Sequence, residues 1–260
     1  PLRTITRALA RAGARTRIHL AAGAYTNGSE VFPLTIRDKT IQLMGTNAAV
    51  TFLDATNANQ RVILVEYTVG DNRLEGLTLR NGKADSTSLA GHGGGAYLRS
   101  AIVSIEACRI LSNRNVPVVN AAGTGGGMYA VSVCGRLRES LVSGNYVTGN
   151  NWGTGTGGGL SLSGGSWWLH NVIVSNNTAT AAGHANDYGG GLYVAGGLHD
   201  YWGVLVVTNF ARTTSAAGLY FASGTNRLMN CTISRNRGMG LTGSAGTRLV
   251  NTFLIGNGYG

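Results

Sequence analysis

The chain has 260 residues, of which 41 are glycine, only 3 are proline and 43% are hydrophobic, and its formal net charge is +10. This composition excludes collagen, which needs a strict G-X-Y period, and it argues against disorder because the hydrophobic residues are patterned. The basic residues are spread along the chain without a basic run, so no nucleic-acid partner is expected, and no apolar stretch reaches the roughly 18 residues that span a membrane.

The first predicted element is an amphipathic helix within residues 1–13. Leu2, Ile5 and Leu9 recur at helical spacing, and arginines occupy the positions between them. Because the open end of a stacked repeat must be covered, we expect this helix to be an N-terminal cap. Residues 14–80 are expected to form irregular early coils.

A glycine triplet then recurs at a fixed interval. The triplets begin 32 residues apart, at Gly93, Gly125, Gly157 and Gly189. An asparagine closes each unit, at Asn81, Asn113, Asn145, Asn177, Asn209, Asn236 and Asn257. Self-similarity at a period of about 20–50 residues is typical of repeat architectures. Residues 81–260 are therefore predicted to form regular coils with glycine and asparagine corners.

Residues at the same place in each unit share their character. Three and eight positions before the closing asparagine stand apolar residues such as Ile110 and Ile105, and five positions before it stands a small one such as Cys108. Arg73 is the exception at the eighth position. Alternation with period 2 is typical of strands.

These units cannot bury their apolar faces alone, so stacking them gives a continuous interior. The sequence therefore predicts an all-β fold, a single-stranded right-handed parallel β-helix forming one domain over residues 1–260. The repeated asparagine suits a left-handed corner, where its amide can also bond the asparagine of the next rung. The connections between each asparagine and the next triplet should cluster along one edge, where binding usually resides. These connections span 82–92, 114–124, 146–156 and 178–188.

The predicted coil has no cap after its last rung, Asn251 to Leu254. An uncovered rung is an aggregation edge. We expect either that more chain follows Gly260 or that something stacks there, which would make a homo-oligomer or filament.

Several segments resemble known proteins. The runs Pro1–Ile5 and Ile18–Tyr25 resemble the opening of pectin-lyase-like right-handed β-helix proteins. The stretches Glu30–Ile36 and Ile41–Gly45 are similar to the bacterial DUF1565-type branch of that superfamily, and Asn230–Asn236 resembles the repeat of bacterial surface β-helix proteins. The resemblance implies the fold and an extracellular or bacterial cell-surface location. It leaves the activity open, because the superfamily includes lyases, hydrolases, adhesins and inert shafts.

An enzymatic interpretation needs suitable carboxylates. A β-helix lyase usually neutralises the uronate with calcium on clustered carboxylates, and a hydrolase uses a carboxylate pair. The chain has 11 acidic residues, and the alignment places Glu75 and Glu139 in one column, two rungs apart. We interpret these two as surface glutamates and expect no cofactor, with calcium unsupported. A lyase working without calcium remains open, with Arg138, His170 and Tyr201 as its candidate catalytic residues.

A metal site built from histidine and aspartate is also conceivable. The residues concerned are His184, Asp187, His199 and Asp200. Their spacings match no standard ligand pattern, so no metal is predicted.

Outward aromatic side chains are the candidate ligand-binding residues. These are Tyr97, Tyr129, Tyr193, Tyr220, Trp167, Trp168 and Trp202. They could stack on sugar rings, or on each other so as to stiffen the sheet.

A second outward column is apolar and is the candidate interface. It contains Leu77, Leu141, Ile173, Leu205 and Phe253. A neighbouring subunit or a returning tail could cover it, or an alternation that is off by one would bury it.

The function expected from the sequence is a glycan-binding, adhesive or structural module, with a polysaccharide or cell-surface glycan as partner. The alternative is a polysaccharide lyase or glycoside hydrolase that acts on an acidic polysaccharide. A second alternative is a self-assembling fibre subunit stacked through its C-terminal rung.

Overall fold

The computed structural model describes residues 2–85, 92–117, 121–150, 153–181, 186–212 and 216–258. Within them lie one helix, α1 (Ile5–Arg11), and 34 strands. The first seventeen strands are β1 (Thr16–Leu20), β2 (Gly23–Thr26), β3 (Leu34–Arg37), β4 (Ile41–Gly45), β5 (Thr51–Asp54), β6 (Ile63–Glu66), β7 (Asp71–Glu75), β8 (Thr78–Arg80), β9 (Lys83–Ala84), β10 (Ala96–Arg99), β11 (Ile102–Glu106), β12 (Arg109–Leu111), β13 (Arg114–Asn115), β14 (Gly123–Thr124), β15 (Met128–Val131), β16 (Cys134–Arg138) and β17 (Leu141–Ser143). The remaining strands are β18 (Tyr146–Gly149), β19 (Gly155–Thr156), β20 (Leu160–Ser163), β21 (Ser166–His170), β22 (Ile173–Ser175), β23 (Thr178–Ala181), β24 (Asp187–Tyr188), β25 (Leu192–Ala195), β26 (Leu198–Trp202), β27 (Leu205–Val207), β28 (Phe210–Ala211), β29 (Ala216–Phe221), β30 (Thr225–Met229), β31 (Thr232–Ser234), β32 (Met239–Thr242), β33 (Thr247–Val250) and β34 (Phe253–Ile255).

Three long parallel sheets form the walls of a β-solenoid. The tryptophan sheet has the order β1-β4-β7-β11-β16-β21-β26-β30-β33, and the leucine sheet has the order β2-β5-β8-β12-β17-β22-β27-β31-β34. The tyrosine sheet has the order β3-β6-β10-β15-β20-β25-β29-β32. Each coil visits the tryptophan, leucine and tyrosine sheets in turn, which confirms the parallel β-helix prediction.

One apolar core runs along the inside of the solenoid, from Ile5 near the N-terminus to Ile233. The predicted inward columns supply it, because alternate residues of each strand point to opposite faces. Ile105, Leu98 and Ile110, one from each sheet, are fully buried. Removing this apolar area from water is the main favourable term for the fold.

Each glycine of a triplet has a distinct structural reason. Gly157 has a φ of +67°, a conformation that side chains with a Cβ rarely adopt. A Cβ on Gly158 would lie 2.3 Å from the carbonyl oxygen of Gly190. A Cβ on Gly159 would lie 2.9 Å from the side-chain nitrogen Nδ2 of Asn177. The triplet is therefore the place where backbone packs directly on backbone and on the asparagine side chain.

The asparagines form a buried ladder along the solenoid. The Asn177 carboxamide oxygen accepts hydrogen bonds from the backbone N–H and the side-chain amide of Asn145, at 3.0 and 2.9 Å. The Asn177 side-chain amide donates to the Val142 carbonyl at 2.9 Å and to Asn209 at 3.0 Å. The same pattern recurs at Asn145, Asn209 and Asn236. Asn113 and Asn257 end the ladder and make part of the pattern, with Asn113 accepting from Gly82 and Asn257 donating to the Ile233 carbonyl. The predicted bonding between asparagines of successive rungs is confirmed.

The left-handed corner lies one residue before the ladder asparagine, which corrects the sequence prediction. Positive φ occurs at Ser112, Gly144, Asn176 and Thr208, and the ladder asparagines that follow them are not in this conformation. The asparagine is needed for its four hydrogen bonds, and the backbone reversal is made by its neighbour.

The first unit is displaced by one residue from the sequence alignment. Leu79, rather than Thr78, pairs with Ile110, and Leu74, rather than Arg73, pairs with Ile105. Asn113 accepts its hydrogen bond from Gly82, so Asn81 stands outside the ladder. The apparent Arg73 exception therefore comes from a register shift, and the inward column is apolar there too.

The N-terminal helix caps the coil as predicted. Ile5 and Leu9 are buried, and Thr4 is the N-cap that accepts a hydrogen bond from the Arg7 backbone at 3.2 Å. The buried Glu30 carboxylate accepts bonds from the backbone N–H groups of Ile5 and Thr6, at 2.7 and 2.8 Å. A carboxylate at a helix N-terminus is stabilised both by these donors and by the helix dipole.

The connections between the asparagines and the triplets contain strands of their own. They build a sheet of order β28-β23-β18-β13-β9 and a sheet of order β14-β19-β24. The predicted connections at 82–92, 114–124, 146–156 and 178–188 fall partly on 86–91, 118–120, 151–152 and 182–185, which lie outside the described residues.

Candidate functional site

The outer face of the tryptophan sheet carries two rows of polar and aromatic side chains. The parallel register places Arg138, His170 and Trp202 side by side on β16, β21 and β26. Two residues earlier on each strand, a second row runs through Arg136, Trp168, Asp200 and Arg227. We call these seven residues the arginine–tryptophan face.

The two tryptophans of this face are open to solvent. Trp168 is 55% exposed and Trp202 is 49% exposed, which is unusual for indole side chains. The Arg136 guanidinium carbon lies 5.1 Å from the Trp168 ring centroid. This cation–π contact orients the arginine beside the exposed ring. Together with Leu169 and Met229, the face lines an open depression of about 460 Å³.

Charge on this face changes along the solenoid. The face itself carries three arginines and one carboxylate, Asp200. On the preceding strands Arg73 is paired with Glu75 at 2.9 Å and with Glu106 at 2.7 Å. Glu106 also lies 3.9 Å from Arg138, on the next strand of the sheet. The outer face of the tryptophan sheet is therefore positively charged from β16 onward.

The proposed alignment of Glu75 with Glu139 is wrong. Glu75 pairs in register with Glu106, because the first unit is displaced by one residue. Glu139 occupies a corner with a φ of +49°, after the end of β16. The two glutamates therefore do not form the spaced carboxylate pair that the alignment suggested.

Two of the candidate site residues point into the core. Tyr201 is completely buried, and this burial raises its pKa well above the ordinary value for a tyrosine. Trp167 is also buried, with its indole lying over Gly135. Both belong to inward columns, because the residues before and after an outward residue of a strand face the interior. Neither can contact a ligand on the outer face.

The candidate tyrosines form two stacked pairs on the tyrosine sheet. The ring centroids of Tyr97 and Tyr129 are 5.5 Å apart, and those of Tyr193 and Tyr220 are 5.7 Å apart. Tyr97 is buried and the other three are half-buried. These rings stack on each other. This is one of the two roles that the sequence allowed for them, the other being stacking on sugar rings.

The apolar column of the leucine sheet is partly exposed to solvent. Ile173 and Phe253 are exposed, and Leu141 and Leu205 are half-buried. Leu77 is fully buried and does not belong to this column, because the register shift turns it inward. An interface role for the four remaining residues stays a prediction.

The histidine and aspartate residues considered for a metal are dispersed. His199 and Asp187 are buried, whereas Asp200 faces outward and His184 lies outside the described residues. The His199 Nε2 atom is 2.8 Å from the Gly196 carbonyl, to which it donates. The described part of the chain contains no group of three or more histidine, cysteine, aspartate or glutamate residues that could hold a metal ion. None of its helices is long and apolar enough to cross a bilayer.

Comparison with known families decides the classification. Residues 1–245 match the family described as "Protein of unknown function (DUF1565)". The chain belongs to the DUF1565 family. DUF1565 is a pectin-lyase-like β-helix family, so the resemblance inferred from the sequence is confirmed.

Other comparisons add little to the DUF1565 assignment. A search of curated proteins gave no match. One solved structure, "Geobacillus virus E2 - ORF18", is similar at 13% identity and a TM-score of 0.36. The match covers 97% of this DUF1565 chain and 56% of the length of the virus protein.

Sequence reasoning found part of the arginine–tryptophan face. It singled out Arg138, His170, Trp168 and Trp202, and it missed Arg136 and Arg227. The sequence did contain a pattern that could have identified them. Both arginines stand two residues before an outward position in the same strand, and residues two apart in a strand face the same side. In this DUF1565 chain the second row follows from the first once the register is known.

Proposed function

We propose that the arginine–tryptophan face binds an acidic polysaccharide, and that the protein is an extracellular or surface-displayed glycan-binding module. The observation that supports this proposal is the placement of two exposed indoles among three arginines on four consecutive strands. A role in adhesion would use the same contact with a surface glycan.

The chemistry of the face matches that of a charged sugar polymer. Indole rings provide flat apolar surfaces with a polar edge, on which sugar rings can stack. Arginine presents a planar fork of N–H donors that pairs with a carboxylate through two bonds. Rungs about 4.8 Å apart repeat these groups along the solenoid, so the open face suits an extended chain better than a compact small molecule.

Alanine substitution on the face tests the proposal. We expect Arg136→Ala and Trp168→Ala each to weaken binding of polygalacturonate about 10-fold, because each removes a contact of roughly 1.4 kcal/mol or more. Isothermal titration calorimetry measures the affinity. Arg109→Ala is the matched control, since Arg109 is exposed on the leucine sheet. Equal losses in all three variants, or no binding by the wild type, would refute the proposal.

A second candidate function is lyase activity at the same face. The observation that favours it is the position of Arg138 beside His170 on neighbouring strands. Arg138 would neutralise a uronate carboxylate and His170 would take the α-proton. The electron pair of that C–H bond would form a C=C bond as the glycosidic C–O bond at the β carbon breaks, and the departing sugar oxygen would take a proton from water. Tyr201 is no longer a candidate for either role because it is buried.

The lyase alternative is tested by the ultraviolet absorbance of unsaturated uronate products. A steady increase with the wild type that is lost in His170→Ala and kept in Arg109→Ala would establish the lyase. Binding by calorimetry with no absorbance change would leave the non-catalytic module as the function.

Homo-oligomer or filament formation stays a separate proposal. The column Leu141, Ile173 and Leu205 on the leucine sheet, in which Ile173 is exposed and the two leucines are half-buried, is the surface that would support it. Light scattering of the wild type and of Ile173→Glu over a range of concentrations tests it, with concentration-independent monomer mass counting against assembly.

A further inference from the structure

A groove runs along the first strand of the tryptophan sheet, between β1 and the side of helix α1. The whole of β1 (Thr16–Leu20) lines one side of it. The opposite side is mostly apolar and includes Leu2, Ala8 and Ala12. The groove is open to solvent and has a volume of about 480 Å³, so it has room for the side chains of another molecule.

The β1 side of this groove is a free sheet edge. β1 is the end strand of the tryptophan sheet, and its only strand partner among the described residues is β4. Helix α1 packs against β3, which is the end strand of the tyrosine sheet. Backbone N–H and C=O groups along a free edge can pair with an added strand. The groove therefore offers main-chain hydrogen bonds as well as space.

The side chains of β1 alternate between an inner and an outer face. Ile18 stands in register with the buried Leu43 and faces inward, whereas Arg17 and His19 are exposed on the outer face. A strand added at this edge would continue the same alternation. Its inward side chains would enter the apolar groove beside Ile18, and its outward side chains would lie next to Arg17.

The groove lies in a basic part of the chain. Residues 1–29 contain five arginines and no acidic residue. All five are exposed, and none forms an ion pair within the described ranges: Arg3, Arg7, Arg11, Arg15 and Arg17. Arg17 Nε donates to the Gln42 side-chain oxygen at 2.8 Å, which holds the guanidinium on the outer face. Because opposite charges on neighbouring strands stabilise their pairing and like charges oppose it, the edge favours an acidic strand.

We propose that the groove between β1 and α1 docks an extended acidic segment of a partner protein, in which acidic residues alternate with apolar ones. The segment adds a strand to β1, with its apolar side chains in the groove and its carboxylates beside Arg17. A second copy of this chain does not supply such a strand from its last rung, because residues 201–260 contain no acidic residue. A nucleic acid would leave the apolar groove and the strand edge unused. The proposal is independent of the function proposed for the arginine–tryptophan face.

Fluorescence anisotropy of labelled peptides with the full chain tests the groove. The probe is a short peptide of alternating glutamate and valine. One control has the same composition with all glutamates before all valines, and a second control replaces each glutamate of the probe with lysine. We expect the probe to bind at least tenfold more tightly than either control, and added salt to weaken its binding.

Charge-reversal variants assign the binding to β1. Arg17→Glu should weaken binding of the probe at least tenfold, because it places a like charge beside the added strand. Arg109→Glu is the matched control, since Arg109 is exposed on the leucine sheet and the change in net charge is the same; it should bind as the wild type does. The double variant Arg11→Glu/Arg17→Glu should bind the lysine peptide more tightly than the wild type does, a gain that loss of the fold would not produce.

Three results would overturn the proposal. The first is a probe that does not bind, or that binds no more tightly than the block peptide of the same composition. The second is an equal loss of probe binding in Arg17→Glu and Arg109→Glu. The third is a single-stranded oligonucleotide that binds more tightly than the probe and loses its binding in Arg17→Glu, which would make this end of the solenoid a nucleic-acid surface.

Discussion

Individual residues in this solenoid are fixed by very close contacts. A Cβ on Gly135 would lie 2.5 Å from three ring atoms of Trp167, whose indole is buried over that glycine. The sequence placed Trp167 on the outside, because two tryptophans in succession give no indication of which one faces inward. Gly135 could have indicated that Trp167 is the inward one. It stands at the same register position on the neighbouring strand, and its missing side chain leaves room for the indole.

The contact between Gly135 and Trp167 predicts a specific loss of stability. Gly135→Ala should lower the free energy of unfolding by about 1–3 kcal/mol, because the indole must shift within a packed core. Urea unfolding measures it, with Gly13→Ala as the control, since a Cβ at Gly13 meets no atom within 4 Å. The double variant Gly135→Ala/Trp167→Leu should recover part of the loss, and equal effects of the two glycine substitutions would contradict the packing account.

The buried position of His199 leads us to expect that the folded protein is less stable in acid. Burial lowers its pKa, although the Gly196 carbonyl and Asp200 act in the opposite direction. Its Nε2 atom donates to Gly196, so protonation would add a buried N–H at Nδ1, which has no partner among the described residues. Because the folded pKa is below the unfolded value of about 6.5, the stabilisation is complete above that pH and is lost as the pH falls through the folded pKa.

The measurement is urea unfolding at several pH values from neutral to acid. His199→Gln should show a smaller decrease in stability on acidification than the wild type. His19→Gln, at an exposed position on β1, is the control and should keep the wild-type slope. A wild-type slope in His199→Gln would show that other groups determine the acid sensitivity.

At the scale of elements, the sequence predicted long features better than short ones. Helix α1 followed from its apolar spacing, and period-2 alternation predicted two or three short strands in each coil. The two-residue strands such as β9 and β13 were missed, because so short a segment carries no periodicity. The shift of the first unit was missed because Asn81 stands one residue before the ladder position, which Gly82 occupies.

The capping helix depends on a residue outside it. Glu30 supplies the carboxylate that binds the N–H groups of Ile5 and Thr6, and α1 has no acidic residue in its own first turn. Glu30→Gln should therefore lower the free energy of unfolding by about 2 kcal/mol, through the lost charge at the helix N-terminus.

Circular dichroism during urea unfolding checks this, with Glu139→Gln as the control, because the Glu139 side chain is 61% exposed. A Glu30→Gln protein as stable as the control would show that the carboxylate charge does not hold the cap.

At the scale of the whole molecule, the solenoid turns a local repeat into continuous surfaces. Equivalent residues stand one rung apart, so a single register determines the asparagine ladder, the tyrosine pairs and the arginine–tryptophan face. The fold was predictable because glycine and asparagine recur at fixed places. The face was only partly predictable, because outward positions are free of packing constraints and their residue types follow no period.

The central proposal is that the arginine–tryptophan face recognises the carboxylates of an acidic glycan. The most direct measurement is a calorimetric titration of the wild type with polygalacturonate and with the same polymer fully methyl-esterified, which keeps the sugar rings and removes their charges. We predict binding of the charged polymer, weakened by added salt, and at least tenfold weaker binding of the ester. Equal affinity for the two polymers, or no affinity for either, would contradict the proposal.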